Sequence, residues 1–212
     1  MAQFFQIHPE TPQLRLIRRT VEILRAKGII VYPTDSTYAL GCSIGEKDAI
    51  ERIRSMRELD AEHHFTLVCR DLSEITTYAR VDNQIYRLLK SFTPGAYTFI
   101  CQATKQVPRR LQHPKRKTIG IRIPDHIIAQ ALLTELNEPL ISTTLQLPNM
   151  DLPLNDPNEI REMLDRVVDL IIDGGSCGLQ STTVIDISGE VPQVVRVGIG
   201  DASYFERINM EN

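Results

Sequence analysis

An α+β fold, a mixed β-sheet flanked by helices, is what the alternation of patterns along this chain predicts. Apolar residues at helical spacing interleave with short β-branched runs from residue 12 onward. Several of those runs succeed one another with no helix between them, which a uniformly parallel sheet with helical crossovers does not permit. The 212 residues, 42% of them hydrophobic, suffice for one substantial core, and no repeat or low-complexity stretch divides them, so residues 1–212 are read as one domain.

Each element has its own signal. Leu14, Ile17, Val21 and Leu24 recur at helical spacing, Pro12 suits the first turn and Gly28 can close the last, so an amphipathic helix is predicted over 12–27. A strand follows at 29–32. DAIERIRSM (48–56) and NQIYRLLKSF (83–92) read as helices. FTLVC (65–69), AYTFICQ (96–102) and TIGIRI (118–123) read as strands, being short, rich in β-branched or aromatic residues and bounded by turn formers. Beyond Pro124, IIAQALLTEL (127–136) and PNEIREMLDRV (157–167) are helical, while PLISTT (139–144), DLIID (169–173), TTVIDI (182–187) and QVVRV (193–197) are extended.

Charge and cysteine content narrow the setting. With 24 Lys and Arg against 27 Asp and Glu, the net charge of −3 gives no general attraction to membranes or nucleic acid. Cys42, Cys69, Cys101 and Cys177 are widely spaced, without CxxC or Cys/His ligand spacing, and are expected as reduced structural thiols with no protein metal site. The start MAQFFQIHPETPQ lacks the basic and apolar regions of a secretory signal, and no segment reaches the apolar length of a membrane span. A soluble cytoplasmic protein is expected.

Three predicted strands border hydroxyl-rich segments. Thr34, Asp35, Ser36, Thr37 and Tyr38 follow the first, Ser142, Thr143 and Thr144 lie in PLISTT, and Ser181, Thr182 and Thr183 open STTVIDI. Small-molecule sites of α/β sheets form outside strand ends, so the three could share one cleft; each alone could equally satisfy its own backbone. Arg57 follows a helix, while Arg122 and Arg196 interrupt apolar strands. A guanidinium is costly there unless it is paired, faces solvent, or points into a polar cleft where its fork matches phosphate or carboxylate.

The tract KQVPRRLQHPKRK, 105–117, carries Lys105, Arg109, Arg110, Lys115, Arg116 and Lys117 and no acid. It reads either as a solvated loop or as a flexible arm, a lid over a polyanion or an RNA contact. Standard nucleotide motifs are absent: GGSCGLQST has no lysine before its final hydroxyls, and GIG at 198–200 is too short for a dinucleotide fingerprint. No GxSxG surrounds a serine, and His63 and His64 lie in a polar connection where surface exposure is expected, so covalent catalysis is not indicated.

Taken in order, VYPTDSTYALGC, TPGAYTFI, TIGIRIP, LISTT, DGG, STTVIDI and VVRVG resemble the successive motifs of the YrdC/YciO family, and the whole chain looks most like its YciO branch. The resemblance implies a mixed, twisted sheet flanked by helices with a large, positively charged groove. It also implies an activity, threonylcarbamoyl-AMP synthesis from ATP, threonine and bicarbonate for transfer RNA modification. By the same resemblance Thr34, Ser36 and Tyr38 contact threonine and nucleotide, Arg57 is the arginine of a KxR motif and Ser142 the serine of an SxN motif. Thr98, Arg122, Ser181, Thr182 and Arg196 fall on further groove positions.

Arg57 and Ser142 are thus the candidate catalytic residues, with Ser142 expected as a short donor to phosphate. A Mg²⁺ ion would arrive with ATP, held by phosphate oxygens and water. The chain departs from the synthase pattern at the KxR lysine, which is Ser55, at the following proline, which is Glu58, and at the SxN asparagine, which is Thr144; PGA replaces PGP at 94–96. Losing that lysine removes a cation from the phosphate site. Three functions follow: an acyl-adenylate enzyme using ATP or binding AMP, an RNA-binding module, or a scaffold whose ancestral site is no longer catalytic.

Overall fold

The computed structural model describes residues 1–59 and 65–210. Ten strands among them form one sheet: β1 (Gln3–Gln6), β2 (Ile30–Tyr32), β3 (Ala39–Ser43), β4 (Thr66–Val68), β5 (Tyr97–Gln102), β6 (Thr118–Arg122), β7 (Leu140–Thr144), β8 (Leu170–Asp173), β9 (Thr183–Asp186) and β10 (Gln193–Arg196). Their spatial order is β1-β8-β2-β3-β7-β4-β6-β5-β9-β10. β8 runs parallel to both β1 and β2, β4 is parallel to β6, and β5 to β9; the remaining neighbours are antiparallel. The sheet is therefore mixed, as expected.

Helices α1 (Leu14–Arg25), α2 (Lys47–Met56), α3 (Leu72–Tyr78), α4 (Asn83–Phe92), α5 (Ile127–Leu136), α6 (Pro157–Leu164) and α7 (Ser203–Met210) flank it unequally. Side chains alternate across a sheet, so each strand feeds two layers. On one face Leu40, Leu67, Phe99, Ile121, Ile141, Ile171 and Ile185 pack with apolar residues of α2, α3, α4, α6 and α7 into the larger core. On the other, Ile30, Tyr32, Leu170 and Ile172 pack against α1 and α5. Those two helices cover the β1, β8, β2 and β3 side of that face and reach Leu140 of β7 and Val68 of β4 at its margin; beyond them the polar positions of β7, β4, β6, β5, β9 and β10 line a groove.

Several elements went unforeseen. β1 is a sheet edge of only four residues, and β3 lies within a hydroxyl-rich segment that imitates a loop. α3 is a single short helix capped by the Asp71 carboxylate on the Glu74 N–H, and α7 follows the last strand. At the end of α1 the left-handed residue is Lys27 (φ 68°), not Gly28. Gly28 is needed for another reason: a Cβ there would come within 2.6 Å of Ile23 Cγ2 and 2.8 Å of its carbonyl oxygen.

The basic tract is not a flexible arm. Val107 and Leu111 are buried in the larger core, a 3-10 turn spans Arg109–Leu111, and the Gln112 side chain donates to the Val107 carbonyl at 2.8 Å. His113 Nδ1 accepts the backbone N–H groups of Lys115 and Arg116 at 3.2 and 3.1 Å. Two apolar anchors in a charged segment outweigh its composition. No described helix is long and apolar enough to cross a membrane.

Candidate functional site

The open half of the sheet is floored by alternate residues of six strands, β7, β4, β6, β5, β9 and β10. In one row Ser142 pairs with Thr66, Thr66 with Gly120, Gly120 with Ile100 and Ile100 with Asp186. In the next, Val68 pairs with Arg122, Thr98 with Val184 and Val184 with Arg196. Together they line a groove of about 430 Å³, rimmed by Arg57, His113, Arg116, Thr143, Gln146 and Val195. That volume lies within the range of small-molecule sites, roughly 300–1,000 Å³. The alternation explains TIGIRI: Ile119 and Ile121 feed the core while Thr118, Gly120 and Arg122 face the groove. A Cβ at Gly120 would sit 3.3 Å from both Thr66 Oγ1 and Thr98 Cγ2, so this glycine keeps the centre of the floor low.

Arg57 closes α2, which delivers its guanidinium to the end of β7. Nε donates to the Gln146 carbonyl at 2.7 Å and Nη1 to Thr143 Oγ1 at 2.5 Å, while Nη2 has no protein partner among the described residues. Partial burial lowers the Arg57 pKa from its ordinary value, yet an arginine remains charged.

Ser142 is buried in the floor, and its hydroxyl is already committed. It donates to the Leu40 carbonyl at 3.1 Å and therefore accepts from Tyr32 Oη at 2.8 Å. Burial pushes the Tyr32 phenol up to about 12, which keeps that donor protonated. Ser142 thus offers a ligand a lone pair instead of the donor expected of it.

Arg122 both lines the groove and is paired. It forms an ion pair with Asp35 and donates Nη1 to Ser36 Oγ at 3.3 Å, leaving a buried Nε with no hydrogen-bond partner among the described residues. Asp35 is held in turn by the Asp125 N–H at 3.1 Å. Across the floor, Thr98 and Thr182 hydroxyls meet at 2.9 Å, and the Thr182 carbonyl accepts Arg196 Nε and Nη2 at 3.3 and 3.0 Å. Ser181 and Thr144 lie half-buried on the lining.

The segment after β2 behaves differently. Thr34 accepts the N–H groups of Ser36 and Thr37 and donates to the Thr37 carbonyl at 2.6 Å, a hydroxyl turn that satisfies itself. Ser36 reaches Thr34 and Arg122, and neither Thr34 nor Ser36 is on the lining; Thr37 and Ala39 are. Tyr38 stands on the core face, donating to the Gly175 carbonyl at 2.7 Å and accepting the Gly174 N–H at 3.2 Å, with burial pushing its phenol well up. Its side chain anchors the loop before β9 and belongs to the larger core, not to the groove.

Of the basic tract only Arg116, with His113, reaches the lining. Arg116 pairs with Asp186 and donates to Ser188 Oγ at 2.9 Å; Arg110 donates to the Gly45 carbonyl and Lys117 to that of Pro114. Burial by itself would raise the Asp186 carboxyl, but hydrogen bonds from the Ser188 hydroxyl and N–H and from Arg116 hold it below its ordinary value. Lys105, Arg109 and Lys115 are exposed. His63 and His64 lie outside the described residues. Sequence reasoning missed Thr66, Thr118 and Asp186, although their alternate positions in apolar strands carried the signal. Among the described residues the lining brings together Arg57, Arg116, Arg122 and Arg196 against one carboxylate, that of Asp186, in a chain whose net charge is −3.

Residues 22–198 match the Sua5, YciO and YrdC family, described as "Telomere recombination". The uncharacterized protein YciO of Escherichia coli K12 is 57% identical over 205 residues, 97% of this chain and 100% of that one, and the E. coli YciO crystal structure matches with a TM-score of 0.93. A threonylcarbamoyl-AMP synthase of Idiomarina loihiensis is 32% identical over 162 residues, 74% of this chain and 86% of that one. Sua5 of P. abyssi, solved in complex with L-threonine, has a TM-score of 0.88 at 22% identity; 97% of this chain covers 60% of it, and the likeness is one of fold.

Proposed function

This chain belongs to the Sua5/YciO/YrdC family, and from that membership we propose that its groove binds an adenine nucleotide and serves the formation of an acyl-adenylate, threonylcarbamoyl-AMP or a close relative. The observation that carries the reading is the convergence of Arg57, Arg116, Arg122 and Arg196 with the hydroxyls of Thr66, Thr98, Thr118, Thr144, Ser181 and Thr182 on the one uncovered half of a sheet. From β7 to β10 there are five strand intervals. At about 4.8 Å each the floor is roughly 24 Å across, room for a nucleotide and an amino acid end to end. Ile100, Val184 and Val195 offer an apolar stretch of lining for a base.

Adenylate formation asks for positioning and charge neutralisation more than for covalent chemistry. A carboxylate oxygen, here that of a carbamate made from threonine and bicarbonate, bonds to the α-phosphorus of ATP as the bond to pyrophosphate breaks. In this reading Nη2 of Arg57, which has no partner among the described residues, meets phosphate oxygens; Thr144 and Thr66 are on the same lining. Asp35 and Asp186 are already engaged by arginines, and the reading has Mg²⁺ entering with ATP, held by phosphate oxygens and water. Incubation with ATP, threonine, bicarbonate and Mg²⁺ tests the reading. Pyrophosphate release that depends on threonine and bicarbonate supports it; ATP binding without release points to another acid; and no ATP binding leaves a scaffold. RNA contact is the second reading, favoured by the exposure of Lys105, Arg109 and Lys115 on one connection.

A further inference from the structure

The two edges of the sheet are built differently. β10, at one end, shifts register between Val194 and Arg196, is preceded by Pro192 and carries the charge of Arg196, devices that turn away a further strand. β1, at the other end, has none of them: Gln3, Phe4, Phe5 and Gln6 are uncharged and pair with β8 without a bulge. Every second residue of a parallel strand turns both its N–H and its C=O to the neighbouring strand. The Gln3 N–H goes to the Asp169 carbonyl at 3.0 Å and the Ile7 N–H to that of Asp173 at 2.8 Å. Those odd-numbered residues serve β8, so the N–H and C=O groups of Phe4 and Gln6 point out from the sheet.

Both faces of this edge carry arginine. On the α1 side a groove of about 520 Å³ is lined by Phe5, Leu14 and Leu16, with Arg15, Arg18 and Arg19 along it. Glu22 is engaged by Arg19 at 2.6 Å and Glu135 by Arg18 at 3.4 Å, whereas the exposed Arg15 has no carboxylate partner among the described residues. Arg15 also stands in the first turn of α1, which holds no acid, where the helix dipole disfavours a cation. On the opposite side the guanidinium of Arg161, from α6, lies 4.7 Å from the centre of the Phe4 ring, exposed and again without a carboxylate partner among the described residues. A strand laid along β1 meets a cation on each of its two faces.

We propose that the β1 edge docks an extended acidic segment of another protein, which joins the sheet as a further strand. Main-chain bonds to Phe4 and Gln6 hold the segment, apolar side chains cover Phe5 and Leu14, and carboxylates reach Arg15 and Arg161 from its two faces. A second copy of β1 fits less well, because Gln3–Gln6 brings no carboxylate to these arginines. The surface shares no residue with the groove lined by β7 to β10, and β1 and Arg15 precede residue 22, where the family match begins.

Fluorescence anisotropy of the full chain with a labelled peptide of about eight residues tests the proposal; glutamates and valines alternate in pairs, so that each face of the extended peptide carries both. This peptide is expected to bind about tenfold or more tightly than its lysine–valine counterpart. Gln6→Pro removes one outward N–H and leaves the bonds to β8 in place. It is expected to weaken binding about tenfold, as is Arg15→Glu combined with Arg161→Glu. Melting temperatures are compared with the parent, and the exposed arginine pair decides alone where Gln6→Pro lowers its own. No binding at about 1 mM peptide, or equal affinity for the lysine peptide, overturns the proposal. Binding indifferent to both variants puts the peptide elsewhere on the molecule, and a dimer in sedimentation equilibrium that Gln6→Pro dissociates gives the edge to a second copy; either result overturns it as well.

Discussion

Replacing Arg122 by alanine separates what that residue does for the fold from what it does for a ligand. The Arg122 and Asp35 side chains are 10% and 12% exposed, so the pair is nearly withdrawn from water. Removing one partner of a buried ion pair costs about 3–5 kcal/mol, because the remaining charge is left without compensation. Two features place this site at the lower end. Asp35 keeps the Asp125 N–H, and the groove beside it can admit water. About 3 kcal/mol is therefore expected, which for a chain of 212 residues is a fall in melting temperature of about 6–12 °C. Urea denaturation followed by circular dichroism gives the difference directly. The double variant Asp35→Asn/Arg122→Met, which removes both charges while keeping a long side chain, should recover most of it. If Arg122→Ala melts within a degree of the parent, the ion pair does not hold the segment after β2, and the argument fails. If the double variant is as unstable as the single one, uncompensated charge is not the cause.

Arg57→Ala should weaken AMP binding about 30- to 150-fold, the loss of a charge-assisted contact of about 2–3 kcal/mol, whereas Ser55→Lys, alone or with Thr144→Asn, should raise adenylate formation; calorimetry and pyrophosphate release read the two. Because Arg110, Arg116 and Lys117 are bonded internally, any single-stranded RNA contact falls to Lys105, Arg109 and Lys115. The log–log salt slope is then about −2, not the −4 of six free cations, and filter binding at several salt concentrations distinguishes them. His126 has its pKa lowered from 6.5 by burial, with Asp35 and Asp125 raising it and Arg122 adding to the lowering, and its buried Nδ1 has no hydrogen-bond partner among the described residues. The unfolded chain then binds the proton first, so stability is lost as pH falls below about 6.5. In His126→Gln the loss between pH 7 and 5 should be shallower, and an unchanged slope in denaturation would contradict this.

The strands were legible wherever a single pattern ruled them. TIGIRI and AYTFICQ alternate between core and groove; Arg122 stood out from its strand, Thr98 only through the family resemblance, and Thr118 was passed over. The reading failed where one segment served two purposes. In VYPTDSTYALGC the hydroxyls of Thr34 and Ser36 build a turn, Tyr38 enters the core, and only then does β3 begin, so composition alone could not sort donors for a ligand from donors for the backbone. The tract at 105–117 misled in the opposite direction. Two apolar residues, Val107 and Leu111, decide its conformation, while its many charges decide only its surface. Nor could sequence reveal that the Ser142 proton goes to Leu40, since that depends on β3 pairing antiparallel with β7.

The floor of the groove is one strand thick. Thr98 and Phe99, or Ile121 and Arg122, are adjacent residues whose side chains leave the same backbone in opposite directions, one toward ligand and the next into the larger core. A substitution such as Phe99→Leu, made wholly out of a ligand's reach, moves the peptide planes that aim Thr98, and anything that presses on Arg122 presses on the packing around Ile121. Affinity and rigidity in this chain are two readouts of the same few strands, so neither can drift far over generations without drawing a compensating change in the other.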